Sequence, residues 1–551
     1  MEKHYWKIVK DSDERVIHSL RVQEKNPSSW LYGGFYDKDG MVQAKYAIYR
    51  VATMISAYCN PDSTFYRNQK VYDSICLGLD YVRSVQHESG LFDYITCNFS
   101  SAPDTAFCLK KLIPVFEYLK MKQDKSPEET TIYEKSEGIV RSGSYGLLQG
   151  GFHTPNHRWA IASSLVEAYK FFGDEQFKTA AFDYLKEGID CNEDGEFAEK
   201  SAGNYNRVNN DAMITLSEVL GDDFYDQCAV KNLWLMLKYW EPDDSVFTAN
   251  STRFDKDLLV YPRDYYIEYI QMGMKYQIPE FLQMCNKIFD IIGEKRIKSP
   301  DILIWFMLHP EYRTLEFEGS YQQSDFRKYC SWSGIFRGRK GNFTYTVMKE
   351  KSNFLYFHNG TIKLAMKIGG SFCEHRAFKA ETMEVQEDGT IHLHQTMRGW
   401  YYLPFEEKQD TSDWWAMDQS KRKKKMGPDM DIDVYVTEVS GGLDVRVKTS
   451  GVDGAPWRIE LAFNGVDYME NEHMAFPVTG SEVVVVKDGM LEAANGRDSV
   501  KVGPAFGAHR FTEGKEDSEA KTPGAATIYF TDYTGFDHTI QIRNNRDCME
   551  K

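Results

Sequence analysis

The spacing of apolar residues changes once along this chain, near residue 320, and that change constrains the fold more than any other feature. From residue 40 to about 310, apolar side chains recur every three to four positions. The spacing predicts helices over Ala44–Tyr58, Val71–Val85, Thr105–Leu119, Trp159–Phe172, Phe177–Gly188, Asp211–Leu220, Cys228–Trp240, Tyr265–Tyr276, Pro279–Ile292 and Ile302–Leu308. Beyond residue 320 the period is two, as in Phe343–Val347, Thr361–Ala365, Thr390–His394, Ile432–Val436, Val483–Val486, Ala526–Phe530 and Thr539–Ile542. A helix presents one face every 3.6 residues and a strand every second residue, so the two halves cannot share one kind of element. Because they are segregated, an alternating α/β sheet is excluded and two domains are expected.

Within the helical half, loops with a Gly-Leu-Phe or Asp-Gly-Glu-Phe signature follow helix pairs, as at Ser89–Asp93 and Glu193–Phe197. Helix hairpins repeating with loops on one side describe an (α/α) toroid whose loops build a cleft at one end. A plain helical solenoid gives the same signal but does not need the second half. The expected architecture is an N-terminal (α/α) toroid over residues 1–318, followed by a C-terminal antiparallel β-sandwich over residues 319–551.

The 551 residues carry 66 Lys and Arg against 82 Asp and Glu, a net charge of −16, which disfavours nonspecific binding to nucleic acid or an anionic membrane. A locally basic cleft can still hold a polyanion. No run of 18 apolar residues is present, so no membrane partner is expected. The ten cysteines form no CxxC pair and read as ordinary reduced thiols, so neither metal nor cofactor is expected from them. The first residues lack the apolar core of a signal peptide. The chain as written reads as cytoplasmic, or as periplasmic or secreted if a leader was removed. Aromatic residues make up 14%, which suits packed cores and equally a cleft where sugar C–H faces lie on flat rings.

Polar chemistry concentrates in two clusters about fifty residues apart. Gly150–Trp159 packs His153, Asn156, His157 and Arg158 where a helix is about to begin, and Ser201–Asp211 places Tyr205 and Arg207 beside a glycine just before another. Loops that precede alternate toroid helices converge on one face, so both clusters reach one cleft. Helix capping accounts for Asn209, Asn210 and Asp211. In the strand half, Ser371–Phe378 sets His375 between Glu374 and Arg376 after a Gly-Gly loop. Asp104, in Asn98–Thr105, would bind sugar hydroxyls or cap a helix. Arg263, in Tyr261–Tyr266, would meet an acidic sugar. His153 is either a substrate contact or a turn residue. Trp414-Trp415 reads as a stacking platform or as a core or interface pair, and Lys421–Lys425 as a solvated loop or an attractor of polyanions.

Asn156-His157, then Tyr205, then His375 resembles the heparinase II/III-like polysaccharide lyases in order, approximate spacing and domain assignment. The resemblance spans most of the chain. It implies a toroid joined to a β-sandwich and β-elimination at a uronic acid of an acidic polysaccharide or oligosaccharide, with no cofactor. It implies that Asn156, with Arg158 or His157, neutralises the substrate carboxylate. Tyr205 then serves as general acid, and as base too in syn elimination, while His157 or His375 is the base for the opposite C5 configuration. Arg207 or a histidinium would lower the tyrosine pKa. Several relatives hold a structural zinc with a ligand two residues beyond the catalytic histidine; that position is Ala377 here, and that version of the site is absent. His392 and His394 share a strand face, either as a metal pair or as a solvated or packed strand pair. Two other functions fit the same clusters: a glycoside hydrolase of unsaturated uronides, drawing on Asp104, Asp194 or Asp211, and a noncatalytic glycan-binding protein.

Overall fold

A computed structural model describes residues 1–151, 153–507 and 518–544. Phe152, inside the first polar cluster, lies outside the described residues. The chain divides into two compact units: residues 1–240 with 244–322, and residues 241–243 with 323–551.

The first unit is helical. Its helices are α1 (Glu2–Val22), α2 (Ala44–Cys59), α3 (Gln69–Ser84), α4 (Ala102–Met121), α5 (Pro127–Leu147), α6 (Pro155–Phe172), α7 (Glu175–Leu185), α8 (Tyr205–Leu220), α9 (Asp223–Lys238), α10 (Tyr266–Lys275), α11 (Pro279–Glu294), α12 (Leu303–Leu308) and α13 (Glu311–Thr314). Helices α2, α4, α6, α8 and α10 neighbour one another in succession, and each is backed by the helix that follows it in sequence. The short α12 returns against α1, α2 and α4, so the series comes back to its start. Helix α2 is apolar over most of its circumference. Its Ala47, Ile48, Val51, Met54, Ile55 and Tyr58 are all buried.

Two long helices, and the single turn α13, were not expected from periodicity. Helix α5 buries Ser136, Gly143, Ser144 and Gly146 among its few aliphatics, so its packed face carries little apolar signal. Its start was legible instead in Ser126-Pro127-Glu128-Glu129, where Ser126 and Glu129 form a reciprocal capping box. Helix α1 buries Asp11 and Asp13 on its packed face. Asp11 accepts the Ser299 N–H at 2.7 Å and Asp13 accepts the Ser63 hydroxyl at 2.6 Å, replacing apolar contacts by hydrogen bonds.

The second unit is built of two large sheets. One runs Ala475–Pro477, Tyr468–Glu470, Leu491–Ala494, Ser499–Gly503, Asp537–Asn544, Gly442–Ser450, Met430–Val439, Ile391–Met397 and Thr382–Val385. The other runs Val483–Val485, Ala526–Tyr533, Pro456–Asn464, Ile362–Phe372, Asn353–Asn359, Phe343–Met348, Ile335–Lys340 and Phe326–Cys330, with His375–Ala377 folded back on Ile362–Phe372. Among the described pairs of these strands all are antiparallel except Val483–Val485 with Ala526–Tyr533; the isolated bridge from Gly507 to Thr531 is also parallel. Inward residues of both sheets, among them Val347, Leu364, Ile459, Leu393, Val434, Val445 and Ile540, share one core, as in a sandwich.

Residues 241–243 pack with the strand unit through charge. Glu241 accepts from Arg337 at 2.9 Å, from the Thr344 hydroxyl, and lies 3.3 Å from His358 Nδ1. Burial would raise this carboxyl, but Arg337 and His358 outweigh it and hold it well below the usual carboxylate range.

Candidate active site

Helix α6 begins with Pro155, whose fixed φ suits the first helical position and whose missing N–H costs nothing there. Asn156 and His157 therefore stand in the first turn, where successive side chains point about 100° apart. Asn156 is buried, and its Nδ2 lies 2.6 and 2.7 Å from the two carboxylate oxygens of Glu199. Its Oδ1 is buried with no hydrogen-bond partner. Arg253 also donates to Glu199, so one carboxylate joins the amide and the guanidinium. His157 turns the other way, with Phe107 and His153 edge-on at 5.7 and 5.8 Å between ring centroids.

Tyr205 is the first residue of α8, six positions earlier than the expected helix start near Asp211. The stretch from Asn204 to Asp211 is polar and short of apolar residues, so periodicity placed the start too late. The loop before Tyr205 is built around Asp255, which is buried and accepts from Ser201 Oγ at 2.8 Å, Ser251 Oγ at 2.7 Å and the Gly203 N–H at 2.9 Å. A Cβ at Gly203 would come within 2.8 Å of Asp255 Oδ2, so the close approach requires glycine. Asp255 thus fixes two segments at once, the one leading to Tyr205 and the one carrying Arg253. The Arg253 guanidinium lies 5.8 Å from the Tyr205 ring centroid, with Phe254 edge-on to the same ring at 5.9 Å.

A third wall comes from α2 and α4. Lys45 Nζ pairs with Asp104 at 3.1 Å and sits 4.8 and 5.2 Å from the ring centroids of Tyr94 and Phe107. Asp104 also accepts from Ser101 Oγ at 2.8 Å and Asn98 Nδ2 at 3.2 Å. Its carboxylate is therefore engaged by protein donors and serves to hold Lys45, rather than standing free for sugar hydroxyls.

These groups share one electrostatic environment. Burial, with the His153 charge, lowers His157 to about 4, against a smaller opposing pull from Asp104; Arg253 and Lys45 lower it further. His153 is lowered by burial alone. Tyr205 is raised by burial and by Glu199, against the opposing cations Arg253 and Lys45. At neutral pH the cluster holds an uncharged imidazole that can accept a proton and a phenol that can give one.

Other candidates fall elsewhere. Arg158, one position past His157, turns away and pairs with Glu187. Arg207, two positions past Tyr205 in α8, lines a cavity of about 710 Å³ between the inner helices, together with Lys110, Lys111, Asp211, Asp264 and Glu268. Arg263 lines the same cavity and reaches Asp264 at 3.2 Å and the Lys298 carbonyl at 3.2 Å. Phe107 and Asn204 also border this cavity. His375 belongs to the strand unit, on the short strand folded back against Phe372, with a half-buried side chain. Trp414 and Trp415 form an exposed turn and no core pair. Lys45, Glu199, Arg253 and Asp255 were missed in the sequence because they lie in three separate segments, with no motif around them.

Among the described residues, the side chains that could hold a cation are His392, His394 and Asp433, whose ligand-type atoms lie within 4.8 Å of one another. His392 Nε2 and His394 Nδ1 contact the same Asp433 oxygen at 2.8 and 2.9 Å. This group sits on one sheet face of the strand unit, and the hydrogen bonds between its members satisfy it as it stands.

Comparison with known proteins bears on the whole architecture. The family model for the N-terminal alpha-helical domain of polysaccharide lyase family 8 matches residues 2–93. No curated protein matches the sequence. Among solved structures, a Streptomyces coelicolor A3 chondroitin AC lyase in complex with chondroitin sulphate is similar over 98% of this chain and 79% of that one, at 12% identity and a TM-score of 0.56. A Paenibacillus xanthan lyase is similar over 97% of this chain and 55% of that one, at 10% identity and a TM-score of 0.58. Heparinase III is similar over 97% and 85%, at 11% identity and a TM-score of 0.54. These likenesses extend across both units, as the expected toroid-plus-sandwich fold requires. The first helices thus match the N-terminal helical domain of polysaccharide lyase family 8, and the chain as a whole shares the two-part fold of these lyases.

Proposed function

We propose that this protein cleaves a uronic-acid-containing polysaccharide or oligosaccharide by β-elimination. The observation that carries the reading is the grouping of a carboxylate-anchored amide at Asn156, an uncharged imidazole at His157 and a raised phenol at Tyr205, with Arg253 and Lys45 beside them. The C5 proton of a uronate is removable only once the adjacent carboxylate is neutralised. Asn156 with the nearby cations does this and stabilises the enolate-like charge that follows. A base takes the C5 proton, the C–H electrons form the C4=C5 double bond, the C4–O4 bond breaks, and Tyr205 protonates the departing oxygen. The base is His157, whose imidazole is uncharged at neutral pH, while the raised phenol of Tyr205 keeps its proton for the departing oxygen. A hydrolase reading is weaker, since Asp104 and Asp211 are each ion-paired to a lysine, at 3.1 Å in both cases, rather than placed for acid and base work.

The test is the ultraviolet absorbance of an unsaturated uronate product over a panel of uronic-acid polymers. Tyr205→Phe is expected to abolish the rise while substrate binding persists. Wild-type turnover that survives in Tyr205→Phe removes the tyrosine from the mechanism, and no rise on any polymer removes the lyase reading.

A further inference from the structure

The strand unit carries an exposed ribbon that holds none of the residues named for the reaction. Trp400–Tyr402 pairs with Lys424–Met426 as a two-stranded sheet separate from both large sheets. Between the two strands lies a loop containing Trp414-Trp415, and the basic run Lys421–Lys425 leads from it into the second strand. Trp415 is 91% exposed and Trp414 51% exposed, in a molecule whose other tryptophans include the fully buried Trp159 and Trp457. Leaving a whole indole in water forgoes the largest apolar burial any side chain offers, so packing gives no reason for Trp415 to stand there.

The basic run is only partly neutralised. Lys423 pairs with Glu406 at 2.6 Å. Lys424 lies 3.8 Å from the Trp400 ring centroid, and Arg422 lies 4.7 and 5.3 Å from those of Tyr402 and Trp414. The acidic residues of the loop are partly spent on turns: Asp413 caps Trp415 N at 3.0 Å and Asp418 caps Ser420 N at 3.1 Å. Lys421 and Lys425 are exposed and make no ion pair among the described residues. Strand alternation puts Lys425 opposite Tyr401, which is also exposed, so a free cation and an aromatic face stand side by side. On a chain of net charge −16, unpaired cations beside exposed aromatic rings complement one kind of partner, an acidic sugar chain: the rings take C–H faces and the ammonium groups take carboxylates or sulfates.

We propose that this ribbon is a docking surface for the acidic polysaccharide, with Trp415 and Tyr401 as stacking platforms and Lys421 and Lys425 as anion contacts. The inference rests on the acidic-glycan reading above. It is tested on the full chain carrying Tyr205→Phe, which leaves the polymer uncut, by affinity electrophoresis through gels containing polygalacturonate, alginate, hyaluronan, chondroitin sulfate or heparin, with a neutral β-glucan as control. At least one acidic polymer is expected to retard the chain. Trp415→Ala is expected to weaken that retardation roughly three- to tenfold, the worth of one aromatic stacking contact. Lys421→Ala with Lys425→Ala is expected to weaken it at low salt and to remove much of its salt dependence. Melting curves check that the variants fold. Retardation unchanged in both variants, equal retardation by the neutral polymer, or no retardation by any acidic polymer overturns the proposal. If retardation depends on the ribbon but wild-type protein forms no unsaturated product, the docking surface stands and the lyase reading fails.

Discussion

Glu199→Gln separates an anchored Asn156 from one that merely occupies the site. Glu199 is 4% exposed and its carboxylate accepts from Asn156 Nδ2 at 2.6 and 2.7 Å and from Arg253. A carboxylate can only accept, so it fixes which way the amide faces. Glutamine keeps the shape but offers a donor as well. The donor can satisfy the buried, unpartnered Oδ1 of Asn156 and let the amide turn over. A hydrogen bond to a charged group contributes about 1.5–3 kcal/mol and a neutral one about 0.5–1.5, so the change costs about 1–2 kcal/mol of stability. Arg253, 34% exposed, finds water and adds little to this cost. Activity should fall far more than stability, by about 10²- to 10³-fold, because a misaimed dipole loses its transition-state contribution. The assay is kcat and KM by product absorbance, with the denaturation midpoint, for Glu199→Gln, Asn156→Ala and the double variant. A coupling of about 0.5–3 kcal/mol between the two positions is expected. Full activity in Glu199→Gln, or strictly additive effects, refutes the anchoring argument.

The remaining predictions concern pH and two buried charges. His157 at about 4 lies below its unfolded value of about 6.5, so between these limits the unfolded chain binds the extra proton. Its contribution to stability is present above pH ~6.5 and lost as pH falls toward 4, and the acid limb of kcat/KM should be centred near 4. A limb centred near 6.5 that is unmoved by His157→Gln shows that the imidazole is not buried as described. Lys110 lies 3.1 Å from Asp211 and 3.9 Å from Glu167, and burial already raises Glu167 to about 7 against the pull of Lys110. Lys110→Met should destabilise the helical unit by about 3–5 kcal/mol, measured by denaturant unfolding, and less so at pH 5, where Glu167 is protonated in both proteins. Arg337→Met strands Glu241 beneath the strand unit and should cost a similar ~3–5 kcal/mol, with Glu241→Gln in the same chain recovering part of it. An Arg337→Met chain as stable as wild type would mean the pair is solvated.

The two periods, 3.6 and two, are properties of the chain alone, and they fixed the class of each half and the order of the halves. Strands such as Ile391–Met397 alternate because one face is buried and the other is not, and that pattern survives in one dimension. Where packing is achieved without apolar residues the pattern disappears, as with the serines and glycines of α5 and the buried aspartates of α1. Asn156, His157 and Tyr205 were legible because polar residues crowd at helix starts. The roles of their neighbours were not legible, because a helix rotates each successive residue by about 100°: Arg158 leaves for Glu187 and Arg207 for the inner cavity. Only the tertiary structure could bring Lys45, Glu199, Arg253 and Asp255 to the cluster. They come from three separate segments, Arg253 and Asp255 sharing one loop, and electrostatic fields act through space rather than along the sequence.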